Sequence, residues 1–288
     1  MATGNLLIIG AGYCGRAIAA AAAGLGFQVE ATSRNGTADG PGFTIIPFDT
    51  AAPAIIRATH ILMTAPPGDS GDPALATHHA AIAAAANLRW IGYLSTTGVY
   101  GDRAGDWVDE TTPPAPGNAR SVRRLAAEQA WSEFAPRCAV DVFRVAGIYG
   151  PGRSALDDLR SGQARRVDKP GHAFGRIHRD DISGAVLAAM QQSRPPGVRV
   201  LNLTDNEPTP SADVIAEAAR LLHLPAPPLI AYEQALATMS PMARSFWSEN
   251  RRVASRQTQQ SLAYHWRHPT YRSGLAAILA EESRHRPA

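Results

Sequence analysis

The chain opens on a short apolar run that ends in closely spaced glycines, Asn5-Leu-Leu-Ile-Ile-Gly10-Ala-Gly12-Tyr13-Cys14-Gly15, and continues into an alanine-rich stretch. Gly10 permits a tight turn after a strand. Gly12 lets the backbone approach a pyrophosphate, and Gly15 lets the following helix lie close on the strand. A helix that starts here offers unpaired N–H groups and a partial positive charge to phosphates. The spacing alone is a weak signal. Its setting gives it weight, because a strand-like run precedes it, a helix-like run follows, and a second strand-like run comes at 28–32. This turn therefore predicts a dinucleotide site. Tyr13 and Cys14, between the second and third glycines, join the expected contact set. A small side chain at 14 fits beside a phosphate, and a reactive thiol there is a minor alternative.

The rest of the first half extends the pattern. Runs at 6–9, 28–32, 44–47, 60–64, 90–95 and 140–145 read as strands, and 15–25, 73–86 and 121–134 read as helices. This alternation predicts an α/β fold, a doubly wound parallel sheet with helices on both faces. Segments 36–42 and 101–120 are rich in Gly, Pro, Asp and Thr and read as loops. After Gly150-Pro151-Gly152 the character changes. Helices are expected at 181–191, 211–222 and 271–283, a strand at 198–203, and a basic tail at the end. We divide the chain into a core at 1–150 and a smaller mixed region at 151–288 that returns some elements to the core.

With 28 basic against 25 acidic residues the net charge is +3, too balanced to predict nucleic-acid or membrane binding. The high pI reflects arginine, because Lys169 is the only lysine. Cys14 and Cys138 cannot build a disulfide framework and have no zinc-ligand spacing. The start of the chain lacks a basic signal region, and the alanine runs are too short to span a bilayer. A cytoplasmic protein is expected.

Several further segments, in order along the chain, are similar to one family. They are 94–102 (LSTTGVYGD), 107–114 (WVDETTPP), 143–152 (FRVAGIYGPG), 177–182 (IHRDDI), 250–253 (NRRV) and 268–275 (HPTYRSGL). Each is modest alone, but the ordered set resembles the extended short-chain dehydrogenases/reductases of the NAD(P)-dependent epimerase/dehydratase-like branch. The resemblance implies a Rossmann-type sheet, a nicotinamide dinucleotide, and a smaller C-terminal substrate region.

The second strand ends Thr32-Ser33-Arg34, with no carboxylate where NAD-binding folds hold the ribose hydroxyls. A guanidinium suits a 2′-phosphate. NADP is therefore expected over NAD, with Ser33 and Arg34 at the adenosine ribose. Glu30 and Asp39 are the alternatives for that role, which would leave Arg34 a solvated loop charge. The resemblance also assigns Asp49 to the adenine edge, Ala65 and Pro66 to the turn beside the cofactor, and Val145 to the strand end facing it. Pro66 and Pro67 depart from the family pattern and remove two backbone donors.

The family's catalytic set is a Ser or Thr with a Tyr-x-x-x-Lys pair on one helix, whose ammonium lowers the phenol pKa for proton exchange. Thr96 matches the hydroxyl. The pair is missing, and aligning Leu125-Ala-Ala-Glu128 puts Arg120 at the Tyr position and Arg124 at the Lys position. Arg124 is expected to take part of the lysine's role at the ribose. Arg120 cannot shuttle protons near neutral pH. Tyr100, Tyr149, His178 and a water held by Thr96 are alternative donors, although packing is the stronger role for the two tyrosines and orienting neighbouring backbone for His178.

The histidines at 78–79 and at 265 and 268 do not predict a metal. Arg176, Arg179 and Arg252 are weighed as a lining for an anionic substrate such as a nucleotide sugar. The overall expectation is an atypical NADP-binding oxidoreductase acting on a small carbonyl, hydroxyl or nucleotide-sugar-like substrate. The rival is a non-catalytic dinucleotide-binding regulator or scaffold. A homodimer through the helix at 121–134 is the expected assembly.

Overall fold

A computed structural model describes residues 4–34, 36 and 38–285; the end of the basic tail lies outside the described residues. Seven strands form one sheet: β1 (Asn5–Ile9), β2 (Gln28–Ser33), β3 (Phe43–Pro47), β4 (His60–Met63), β5 (Trp90–Thr96), β6 (Ala139–Val145) and β7 (Gly197–Leu203). Their spatial order is β3-β2-β1-β4-β5-β6-β7, and every pairing is parallel. The order runs outward in both directions from β1 and β4. That reversal opens a crevice at the carboxyl ends of the strands.

A parallel sheet needs cover on both faces, and the strands supply it by alternation. Leu6, Ile8, Leu62, Phe143 and Leu201 pack under helices α1 (Tyr13–Gly24) and α6 (Arg179–Gln191). Leu7, Ile9, Ile61, Met63, Ile91 and Val142 face the other way. They pack against α2 (Ala52–Arg57), α3 (Pro73–Ala84) and α4 (Ala119–Ser132). A satellite core joins α5 (Ala155–Arg160), the helix Ser211–Leu221 and the helix Tyr271–His285 around Leu156, Ile215 and Leu275. The strand β7 and the helix α6 both follow residue 150 in sequence, and both belong to the main sheet and its cover.

The predicted long elements are present, with ends moved by a few residues. Helix α4 starts at Ala119 rather than 121 because Asn118 caps it, its Oδ1 accepting the Ser121 N–H at 3.0 Å. Asp72 caps α3 by accepting the Ala74 and Leu75 N–H groups, and its other oxygen accepts Trp131 Nε1–H at 3.0 Å. The expected loop at 101–120 contains a short strand, Trp107–Val108, paired in parallel with Arg252–Val253. Such a long-range pairing leaves no local periodicity. Among the described residues no helix is long and apolar enough to cross a membrane.

Candidate functional site

The glycine turn floors a groove of about 490 Å³ at the carboxyl ends of β1, β2 and β4. Gly10 has φ +114°, a conformation that L side chains rarely adopt. Its N–H donates to Thr32 Oγ1 at 3.2 Å, and its carbonyl accepts from Thr64 Oγ1 at 2.6 Å. A Cβ on Gly15 would lie 2.1 Å from the Gly10 carbonyl oxygen, so the fold's own packing requires that glycine. A Cβ on Gly12 would meet nothing within 4 Å. The protein's own packing therefore does not require Gly12, which fits close approach by a ligand. Gly12 is also the N-cap of α1, with no side-chain cap and no acidic residue in the first turn, so the positive helix end is bare. This cradle fits a dinucleotide diphosphate.

Gly10, Gly12, Ser33, Arg34, Ala65 and Pro66 line this groove, together with Thr32, Phe48 and Pro67. Arg34 is exposed at its rim. Glu30 is engaged elsewhere, paired with Arg57 at 3.1 Å, and Asp39 Oδ1 accepts the Ile45 N–H at 2.6 Å. Asp49 is exposed on the turn Phe48–Thr50 and lies outside the lining, whereas its neighbour Phe48 is part of it. Tyr13 Oη donates to the Pro151 carbonyl at 3.0 Å, and its ring sits beneath Arg153 and Arg179. Cys14 is buried, and burial pushes its thiol up to about 11. It is therefore a protonated thiol near neutral pH, unsuited to nucleophilic work.

A second cavity, about 410 Å³, opens at the ends of β5 and β6 along the same sheet edge. Thr96 and Val145 line it with Arg120, Ser121, Tyr149, Arg176, Phe246, Trp247, Glu249 and Arg251. Thr96 Oγ1 accepts the Gly98 N–H at 3.1 Å. Arg124 lies outside this lining; its Nη1 donates to the Leu94 carbonyl at 2.8 Å and to Tyr93 Oη at 3.3 Å. Of the three arginines weighed for an anionic substrate, the cavity includes Arg176, which donates to the Phe174 and Thr209 carbonyls. Arg179 pairs with Asp180, and Arg252 donates to the Gly105 carbonyl.

The alternative proton donors are occupied by the fold. Tyr100 is fully buried, lies under the Arg144 guanidinium and donates to Asn202 Oδ1 at 2.8 Å. Burial, with Asp205 and Asp181 nearby, raises the Tyr149 phenol. Burial also lowers His178 to about 4, helped by His268, and His178 Nδ1 accepts the Asp180 N–H that caps α6. His60 and His172 are likewise buried and lowered to about 4. Each lowered histidine contributes stability that is present above its unfolded value of 6.5 and is lost as the pH falls towards 4. Asp205, raised by burial to about 7, acts oppositely, stabilising more as the pH falls from 7. Asp72, Asp158 and Asp181 are also raised by burial and act as Asp205 does. The three histidines, each lowered to about 4, are expected to outweigh these carboxylates, so that the chain melts at lower temperature at pH 5 than at pH 7.5. The His60→Asn variant should show a shallower dependence. A pH 5 midpoint equal to or above that at pH 7.5 contradicts this.

Sequence reasoning missed Ser121, Phe48 and Glu249. Ser121 sits next to the Arg120 that alignment places at the Tyr position, and only the Asn118 cap signals that the helix end itself faces the cavity. Histidine spacing also missed a trio that the fold gathers: His178, Asp180 and His268 bring one ligand atom each within 4.8 Å.

No family model matches the chain. A functionally unknown conserved protein from Silicibacter pomeroyi DSS has a solved structure that is 44% identical. It covers 97% of this chain and 99% of that one with a TM-score of 0.89. Protein YeeZ of Escherichia coli (strain K12) is 32% identical over 135 residues, 47% of each chain. The match thus spans about half the length of that curated relative. Human epimerase family protein SDR39U1 with NADPH is 18% identical over 96% of this chain and 99% of that one, with a TM-score of 0.75. Another structure with this fold, at 20% identity, holds UDP-glucuronic acid and NAD.

Proposed function

The chain belongs to one family with the Silicibacter pomeroyi protein and has the fold of the extended, epimerase/dehydratase-like short-chain dehydrogenases/reductases, and from that premise we propose that it is an NADP-dependent oxidoreductase. The substrate is a small carbonyl, hydroxyl or nucleotide-sugar-like compound. The observation that carries this reading is the bare, glycine-lined end of α1, where Gly12 leaves open the space a diphosphate would fill. Arg34 at the groove rim supports NADP, because Glu30 and Asp39 are both engaged elsewhere. A bound nicotinamide dinucleotide supplies the hydride. Thr96 holds the substrate oxygen through its hydroxyl, and Arg124 contributes positive potential near the ribose from beneath the end of β5. The family's phenol and ammonium are replaced by Arg120 and Arg124, so the proton comes from water held in the cavity beside Thr96.

Titration of NADPH and NADH into the parent and Arg34→Ala chains tests the cofactor assignment. The variant is expected to weaken NADPH roughly 10- to 100-fold, the worth of charge-assisted hydrogen bonds to one phosphate, while leaving NADH nearly unchanged. Equal NADPH affinity in both chains removes Arg34 from the site. One observation favours a second reading, a dinucleotide-binding regulator without turnover: Arg124 is already bound to the Leu94 carbonyl and the Tyr93 hydroxyl. Tight NADPH binding with no oxidation across a panel of carbonyl substrates supports that reading.

A further inference from the structure

Helix α4 ends in the cavity beside Thr96, and its first turn is arranged to receive negative charge. Asn118 and Ser121 both line the cavity, and no acidic residue stands in that turn. Ser121 is 1% exposed, and its Oγ has no hydrogen-bond partner among the described residues. A Cβ placed on Gly98 would lie 2.8 Å from Ser121 Oγ and 3.3 Å from Thr96 Oγ1, so the two hydroxyls are at most 6.1 Å apart. Arg120 reaches into the same space, its guanidinium 4.5 Å from the Phe246 ring centroid. Among the described residues Glu249 is the one carboxylate lining this cavity. It is already held by Asn118 Nδ2 at 2.9 Å and by Arg251 at 2.7 Å.

We infer that the first turn of α4 is an oxyanion site, where Arg120, the Ser121 hydroxyl and the positive end of the helix hold a carboxylate or phosphate group of the substrate. This rests on reading the cavity as the substrate pocket. A buried hydroxyl without a partner gains one when an anionic oxygen arrives. A guanidinium offers two parallel donors to such a group, and the helix end adds a fixed positive potential. Among the described residues three guanidinium groups line the cavity; Arg251 is paired with Glu249, the one lining carboxylate, which leaves Arg120 and Arg176 in excess. Thr96 and Ser121 line the same cavity, so an anionic group held at the helix end shares the pocket with the reacting oxygen. The substrate class is therefore a hydroxy or oxo compound that carries its acid group near that oxygen. Arg120, unable to exchange a proton, serves specificity at the place where the family keeps its tyrosine.

Calorimetric titration of the full chain with sodium phosphate and with sodium acetate at constant ionic strength tests this, with and without NADPH. At least one anion is expected to bind saturably, roughly tenfold more weakly in Arg120→Met and several-fold more weakly in Ser121→Ala. Arg34→Ala should leave this component in place, which separates it from phosphate bound at the rim of the glycine-turn groove. A change on the same helix as Arg120, Arg123→Met, removes a guanidinium that faces Asp69 and should behave as the parent. Phosphate alone binding identifies a phosphorylated substrate, and acetate alone a carboxylic acid. Absence of saturable binding, or binding equal in Arg120→Met, overturns the site even where NADPH still binds. NADPH failing to bind while the Arg120-dependent component persists overturns the oxidoreductase reading and leaves the oxyanion site standing.

Discussion

Glu128→Ala is expected to cost about 3–5 kcal/mol of folding stability, the range for removing one partner of a buried ion pair. Glu128 and Arg144 meet at 2.8 Å with side chains only 6% and 5% exposed. Arg144 Nε and Nη2 both donate to the carboxylate, and Ser95 Oγ donates to it at 2.5 Å. Without the carboxylate, the guanidinium over the Tyr100 ring stays buried with no counter-charge, and the serine hydroxyl loses its acceptor. The double variant Glu128→Leu with Arg144→Met should recover most of the loss, because two apolar side chains need no desolvated charge. The exposed Glu30–Arg57 pair is the contrast, and its removal should cost under about 1 kcal/mol. Urea unfolding at pH 7.5 measures all three. A Glu128→Ala loss as small as that of the surface pair contradicts the buried network.

Gly12→Val is expected to weaken NADPH binding at least roughly 100-fold, about 2.7 kcal/mol, while the chain stays folded. The backbone at Gly12, φ −82° and ψ −166°, is open to any residue, and its Cβ meets no protein atom. The branched side chain would fill the space left for the diphosphate. Valine is a poorer N-cap than glycine, a cost on the order of 1 kcal/mol. Gly15→Val is the opposite case. Its Cβ collides with the Gly10 carbonyl oxygen, so folding itself should suffer. Circular dichroism beside a binding titration separates the two. A folded Gly12→Val chain with unchanged NADPH affinity contradicts a diphosphate at this turn.

The sheet was legible because its strands are continuous apolar runs, such as Leu6–Ile9 and the β6 segment, bounded by glycine, proline or caps. The helix predicted at 73–86 starts at Pro73, where α3 begins. The six-residue helices α2 and α5 were not legible, since one and a half turns show no 3.6 period. Nor was the pairing of Trp107–Val108 with Arg252–Val253, which depends on contact between distant segments. In the candidate site, the glycine turn and Thr96 followed from local spacing and motif. Ser121 did not, because its importance lies in being buried without a partner while facing a cavity. No residue pattern encodes that. Phe48 was masked by its neighbour Asp49, the polar residue to which the family pattern draws attention.

The central claim is that the turn at Gly10–Gly15 and the groove beside it hold a nicotinamide dinucleotide. Calorimetric titration of the purified chain with NADPH and NADH tests it most directly. The account predicts saturable 1:1 binding of NADPH, tighter than that of NADH. Absence of measurable association with either nucleotide by the folded chain contradicts it.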